Sequence, residues 1–446
     1  MSILAELDPG FEPNIVFLKN YEVSLKDVDI VYINLCRGNS LNYFREVKVD
    51  FGLVDTERYL CQLFKSLLWS VGGECLEVSD KRVLDILTHS FLRNSLYAFD
   101  VKFFADLFGK ELKVIHVPGL TSDSDVEVSQ LGRNLSGNRI GFDLGGSDRK
   151  CAAVVDGEVI YSEEIEWSPY FADDPSYHIT GICDSIERAA SHLPYVDAIG
   201  GSSAGVIIDN QVLASSLFRG LSKENFETIG KPLFLELAKK YQVPLEIIND
   251  GDVTALAGSM ELNKNGVLGV AMGTSLAAGY VNKDGYISGW LNELAFAPVD
   301  NRLDAPIDEW SGAPGCGVQY MSQQAVARLA PLAGYQFPDD MPFPEILKEI
   351  QEKAEINEEN ALKIYRTIGT YLGYSIAEWS NYYELSHVLV LGRVSSGKGG
   401  DLLLAQAQHV LKQEFPELAE KVEVSMPDEK NKRHGQAIAA ASLPAI

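Results

Sequence analysis

The chain is short of cysteine, short of basic charge and without a long hydrophobic run, and each shortage argues against something. Only six cysteines occur in 446 residues (Cys36, Cys61, Cys75, Cys151, Cys183 and Cys316), and none forms a C-x-x-C pair. Scattered thiols suit reduced cysteines in a cytoplasmic protein better than a disulfide framework or a cysteine-built zinc site. Lys and Arg total 38 against 63 Asp and Glu, a formal net charge of −25 at pH 7. That excess of acid opposes general affinity for nucleic acid or anionic membrane. No apolar run approaches the ~20 residues of a membrane-spanning helix. The opening MSILAELDPGFEPN has neither a basic region nor a long apolar segment. A cytoplasmic location is expected. What is present is ordinary for a large globular protein, with 46% hydrophobic and 23% charged residues. Its length predicts two or three domains.

The chain is organised around Asn138 to Val154, NRIGFDLGGSDRKCAAV. A β-prone run reaches Asp143, Gly145-Gly146-Ser147 follows, and the β pattern resumes after a basic interlude. This predicts a β-hairpin with an unusually glycine-rich tip. Glycines let backbone N–H groups approach an anion closely, and Ser147 adds a hydroxyl donor. Asp143, at a strand end beside such a tip, is well placed to hold Mg²⁺ through water, as phosphate chemistry requires. The alternative is a plain hairpin turn. Two further stretches, in order, favour the phosphate reading.

Residues 1–136 read as an α/β extension of unknown role. Strands are expected at Asn14–Leu18, Val28–Leu35, Val47–Val54 and Leu112–Val117, and helices at Thr56–Val71, Lys81–Leu96 and Val101–Leu107. Pro118–Gly137, rich in Ser, Asp, Gly and Asn, reads as a linker. No basic recognition helix is present, so DNA binding is not expected. From Asn138 the order is three antiparallel strands, then alternating helix and strand, as in a ribonuclease-H-like fold. Val267–Met272, a Gly273-Thr274-Ser275 tip and Ala277–Asn282 begin what reads as a second copy, with a turn into Tyr286–Gly289. The expected fold is α/β, with two ribonuclease-H-like lobes behind the extension. The first lobe would span 137–257, completed by a C-terminal helix at 430–446, and the second 258–429.

The second chemical stretch is Glu246–Ala257, EIINDGDVTALA. A β-prone run delivers Asn249-Asp250 at its C-terminal end and a helix follows, the place where open α/β sheets bind ligands. A carboxylate there can take a proton from a substrate hydroxyl, the role read for Asp250, while Asp252 reads as the helix cap. The third is the tip at Gly273 and Thr274, whose backbone and hydroxyls suit β- and γ-phosphates.

Together DLGGS (143–147), NDGDVTALAG (249–258), GVAMGTS (269–275), NEL (292–294) and SGAPGCGVQYMS (311–322) resemble the ROK family of sugar kinases and related repressors, within the actin-like ATPase superfamily. The likeness covers residues 138–446 and is strongest over 141–322. It implies ATP, Mg²⁺ and a sugar held between two closing lobes. It implies Asp143 for Mg²⁺, Gly145, Gly146, Ser147, Gly273 and Thr274 for phosphates, and the turn Gly392–Gly397 for adenosine. Asn249 and Glu293 would hold sugar hydroxyls, Ser202 would lie in the sugar-binding loop, and Asp250 would be the general base. The family's histidine near Glu293 is here Phe296, and its cysteine cluster survives only as Cys316, with Val318 in place of a glutamate. No structural zinc is expected, since one cysteine cannot supply a tetrahedral site, and glucose is a poor candidate as the sugar.

Two motifs compete with this reading. Gly392 to Gly399, GRVSSGKG, nearly matches a P-loop, but Gly399 stands where a Mg²⁺-binding hydroxyl is needed and no ATPase core follows. Gly201 to Gly205 fits G-x-S-x-G literally, yet Val206–Val212 reads as a hairpin turning at Asp209-Asn210, where a nucleophile elbow needs a helix. The expected function is ATP-dependent phosphotransfer to a hydroxyl of a sugar or polyol. The alternatives are a non-catalytic sugar or sugar-phosphate sensor and an ATPase coupled to a partner through residues 1–136. Dimers are common in the family that the sequence resembles, which makes a homodimer an expectation by analogy.

Overall fold

A computed structural model describes residues 3–38, 41–121, 130–427 and 432–446. The N-terminal part runs α1 (Asn14–Ser24), β1 (Asp29–Arg37), β2 (Leu41–Val49), α2 (Thr56–Ser70), β3 (Cys75–Val78), α3 (Lys81–Leu87), α4 (Ala98–Phe108) and β4 (Lys113–His116). Its strands form one sheet in the order β2-β1-β3-β4. Asn14–Leu18, expected as a strand, instead begins a helix. Ile15, Leu18 and Tyr21 are buried at the three-residue spacing of one helical face. The expected helix Lys81–Leu96 also breaks, after α3, into a wide turn at Thr88–Leu92 and a tight one at Ser95–Tyr97. The expected linker at 118–137 lies partly outside the described residues, as do the first residues of the expected helix 430–446.

From Asn138 the chain forms β5 (Asn138–Leu144), β6 (Asp148–Val155), β7 (Glu158–Glu166), α5 (Pro175–Ala190), β8 (Ala198–Ser203), β9 (Val206–Ile208), β10 (Gln211–Ala214), the single turn α6 (Lys223–Asn225), α7 (Leu233–Tyr241), β11 (Leu245–Asn249) and α8 (Asp250–Leu262). Five of these strands make a sheet in the order β11-β8-β5-β6-β7, antiparallel on the β7 side of β5 and parallel on the β11 side. Its inner face packs against α5 and α7 around Phe142, Ile186, Phe234 and Ile247.

The plan then recurs in β12 (Val267–Met272), β13 (Leu276–Val281), α9 (Gln323–Leu329), α10 (Phe343–Glu355), α11 (Glu359–Trp379), β14 (His387–Leu391), α12 (Gly397–Glu414), the short α13 (Pro416–Ala419) and β15 (Glu423–Ser425). The order β13-β12-β14-β15 again joins a hairpin to parallel strands. Tyr286–Gly289, read as a further strand, supplies only isolated bridges from Ile287 to Leu131 and Val281. Gly289, at φ +67°, turns the chain out of extended geometry.

The last helix, α14 (Lys432–Ala441), returns to the first sheet. A Cβ on Gly200 would lie 1.8 Å from the Ala440 carbonyl oxygen, so the helix rests directly on strand backbone. Buried Arg139 on β5 donates to the carbonyls of Ala441 and Pro444 at 3.2 and 2.8 Å. Residues of the N-terminal part and the second sheet share one continuous core, in which Trp69 and Phe104 join Leu268, Tyr320 and Tyr371. No helix among the described residues is long and apolar enough to cross a membrane.

Candidate active site

Strand register assembles the first half of the site. Asp143 is level with Ser202 across β5 and β8, and Ser202 with Ile248 across β8 and β11. Three parallel strands therefore end together, at the edge where an open α/β sheet exposes its loops. Ser202 donates to Asp143 Oδ1 at 2.6 Å. The antiparallel partner of Asp143 is Lys150, whose Nζ lies 3.7 Å from Asp143 and 3.2 Å from Asp148. Burial works against the Lys150 charge, but the two carboxylates outweigh it and raise its pKa. Between these strands the Gly145-Gly146-Ser147 tip is held by the Trp167 indole N–H, which donates to the Gly145 carbonyl at 2.7 Å. A Cβ on Gly146 would fall 1.8 Å from the Tyr170 hydroxyl, so a larger residue would displace that ring. Ser147 is exposed at the tip.

Asp250 opens α8. The cap of that helix is Asn249, not Asp252 as the sequence reading had it. Asn249 Oδ1 accepts from the Gly251 N–H at 2.7 Å, while its side-chain amide donates to the Gly205 carbonyl at 2.7 Å. The loop after β8 and the start of α8 are thereby tied together. Asp252, one helical step inside, turns away and accepts from the Tyr280 N–H at 3.0 Å and the Asn292 amide at 2.9 Å. Burial pushes its carboxyl up to about 7. Burial, and then the charge of Asp143, raise the Asp250 carboxyl above the ordinary carboxylate range. Glu293 is pushed up to about 7 by burial and by Asp250. Asp143, Asp250 and Glu293 thus stand within electrostatic reach in a chain, with Asp250 at its centre.

The second half lies on the other sheet. Thr274 and Ser275 are exposed at the tip between β12 and β13, and Gln323 N–H donates to the Gly273 carbonyl at 2.9 Å. Ala271 pairs with Leu391, so this tip adjoins the turn after β14. Gly392 has φ +97°, and a Cβ there would meet the Met272 carbonyl oxygen at 2.4 Å, so only glycine fits. Gly392, Ser395, Ser396, Gly397 and Asp401 border a cavity of about 340 Å³. The P-loop likeness of this turn is spent on internal contacts. Lys398 N–H donates to the Glu355 carboxylate at 2.8 Å, and Gly399 packs against the Tyr365 ring. Ser203, the centre of the G-x-S-x-G match, is fully buried and leads into β9.

Two parts of the site escaped the sequence reading. Lys150 had a legible signal, because the hairpin turns through residues 145–148 between Leu144 and Arg149, which puts it opposite Asp143. The Asp252–Asn292–Tyr383 chain, in which the Tyr383 hydroxyl donates to Asn292 Oδ1 at 3.0 Å, had none, since its members are distant in sequence. Phe296 packs on Trp69 and Trp310, with ring centroids 4.9 and 5.0 Å away. Burial pushes the Cys316 thiol up to about 12. Among the described residues, no group of three or more His, Cys, Asp or Glu stands ready to hold a metal directly.

Residues 139–442 match the ROK family. The chain belongs to the ROK family. A glucokinase of Halalkalibacterium halodurans is 25% identical over 305 residues, which cover 64% of this chain and 88% of that relative. A ROK hexokinase from Thermus thermophilus superposes with a TM-score of 0.54 at 17% identity, covering 69% of this chain and 97% of its own. A ROK transcriptional regulator, a homologue of the E. coli MLC protein, superposes with a TM-score of 0.53 at 17% identity, covering 69% and 78%. At such identities the structures share the fold, the actin-like α/β arrangement of ROK proteins. The family match begins at residue 139 and leaves the N-terminal part outside it.

Proposed function

We propose that this ROK protein transfers the γ-phosphoryl group of ATP to a hydroxyl of a sugar or sugar-like molecule, with Asp250 as the general base. The observation that carries the reading is the setting of Asp250. It starts a helix at the C-terminal edge of the sheet, with its pKa raised by burial and Asp143. A raised carboxylate is the better proton acceptor for an alcohol, which must lose its proton as it attacks phosphorus. Glu293, Asn249 and Ser202 would orient the acceptor. The tips at Gly145–Ser147 and Gly273–Thr274 would hold phosphates, and the Gly392–Gly397 turn would hold adenosine. Asp143, with the Ser202 hydroxyl against it and Asp250 nearby, suits a hard divalent cation and would hold Mg²⁺ through water, where the ion neutralises phosphate charge. Closure of a lobe at 137–257 with 432–446 against one at 258–427 would exclude water from the transfer. ATP as donor and six free thiols fit a cytoplasmic setting.

The test is ADP release from MgATP against hexoses, amino sugars, polyols and nucleosides, with Asp250→Asn alongside. Turnover dependent on one acceptor, falling about 10²–10⁴-fold in the variant, is expected for loss of a general base. A second reading, a sugar sensor without turnover, is favoured by Phe296, whose ring is committed to an aromatic cluster and offers the acceptor no polar group. Acceptors that raise the melting temperature without releasing ADP would establish the sensor. ADP release indifferent to the acceptor would mean an ATPase.

A further inference from the structure

The last turn of a helix leaves carbonyl oxygens without helical partners. At the end of α2 and its C-cap Val71, three such oxygens are taken by the backbone of another segment, with the Tyr383 hydroxyl also donating to the Ser70 carbonyl at 3.4 Å. The carbonyls of Trp69, Ser70 and Val71 accept, in that order, from the backbone N–H groups of Glu293, Asn292 and Leu291, at 2.9, 3.0 and 3.0 Å. Three consecutive acceptors of the N-terminal part thus clamp three consecutive donors of the segment that carries Glu293. Asn292 sits at φ +55°, an uncommon geometry for a residue other than glycine, and such geometry persists only where the surroundings impose it.

The clamp is itself immobilised. The Trp69 indole N–H donates to buried Asp100 at 2.6 Å, and Asp100 is paired with buried Lys65 at 3.6 Å. On its other side the Trp69 ring packs on Phe296, three residues past Glu293. Gly72, at φ +79°, lets the two backbones close. A Cβ there would lie 2.8 Å from Leu291 Cβ.

We infer that the N-terminal part is a constituent of the acceptor site, its α2 terminus positioning Glu293 toward Asp250. The inference rests on the proposed role of Glu293 in holding the acceptor. Trp69 and Gly72 are positioning residues, since neither faces the reacting atoms. The residues outside the family match therefore supply the rigidity of a loop inside it.

The test uses the full chain and two variants, Trp69→Phe and Gly72→Ala. Hydrogen exchange should quicken by about tenfold or more at the amides of Leu291, Asn292 and Glu293, with β5 and β12 unchanged, as expected for local opening. With glucose, mannose and N-acetylmannosamine as acceptors, KM for the sugar should rise by about tenfold while KM for MgATP stays within about twofold, the mark of lost acceptor binding. Should Trp69→Phe fail to fold, Gly72→Ala carries both measurements. Unchanged exchange at 291–293, or an equal rise in both KM values, overturns the inference. A wild type that phosphorylates none of these sugars counts against the kinase reading for them, and the exchange measurement still decides whether α2 holds the loop.

Discussion

The Asp250 carboxyl, the base of the proposed reaction, has its pKa raised by two sources, the protein packed around it and the charge of Asp143. Both disfavour ionisation, so the acid limb of kcat/KM is expected above the ordinary carboxylate range. Removing the second source has a definite sign. Asp143→Asn deletes a negative neighbour, ionisation of Asp250 becomes easier, and the limb moves to lower pH even as the rate falls. Profiles of kcat/KM from pH 5 to 9 check this, and an unmoved limb would assign it to another group. The placement of Asp143 and Asp250 at strand ends was legible, because each stands beside a glycine-rich or helical turn, a purely local signal. The cap was not. Asn249, Asp250 and Asp252 are all capable caps within four positions, and the cap lies three residues earlier than the sequence reading placed it, at Asn249. Phe296 was legible as a departure, but what fills its surroundings was not, because Trp69 and Trp310 arrive from distant segments.

Among the elements, α2 is held by a buried charge pair. Lys65 and Asp100 expose only 5% and 1% of their side chains, so neither charge has water to fall back on. Lys65→Met leaves Asp100 charged and uncompensated, and a loss of about 3–5 kcal/mol is expected. A urea titration measures it. A midpoint unchanged from wild type would mean that the pair contributes little. The helix itself was readable from its apolar spacing and its acidic first turn at Glu57. The failure at Asn14–Leu18 has a physical cause. Five apolar-rich residues satisfy a buried strand and a buried helical turn equally, and only the later Tyr21 and the core that receives it resolve the period. β15, at three residues, carries too little pattern to be read at all.

At the scale of the whole molecule, the two-sheet repeat was visible in the sequence because each copy carries its own glycine-rich tip. The dependence of the second sheet on the N-terminal part was not, since a shared core is written in contacts between distant residues. Glu378 of α11 stands at that junction, accepting from Asn14 of α1 at 2.7 Å and Ser66 of α2 at 3.0 Å. Burial raises its carboxyl from 4.5 to about 8. A raised folded-state pKa favours the native protein fully below pH 4.5, and that contribution is lost as pH climbs through 8. Glu378→Gln keeps an oxygen for both donors and cannot ionise. The variant should match the wild type in melting temperature near pH 5 and exceed it near pH 9. Equal curves at both ends would mean that Glu378 ionises without cost. The placement of α14 has a consequence for biosynthesis. The first sheet is complete in sequence by Asn249, yet the helix that covers Gly200 and satisfies Arg139 emerges from the ribosome roughly 180 residues later. Until then the face of the nascent sheet that α14 covers is bare, and the guanidinium of Arg139 has no carbonyl of that helix to pair with.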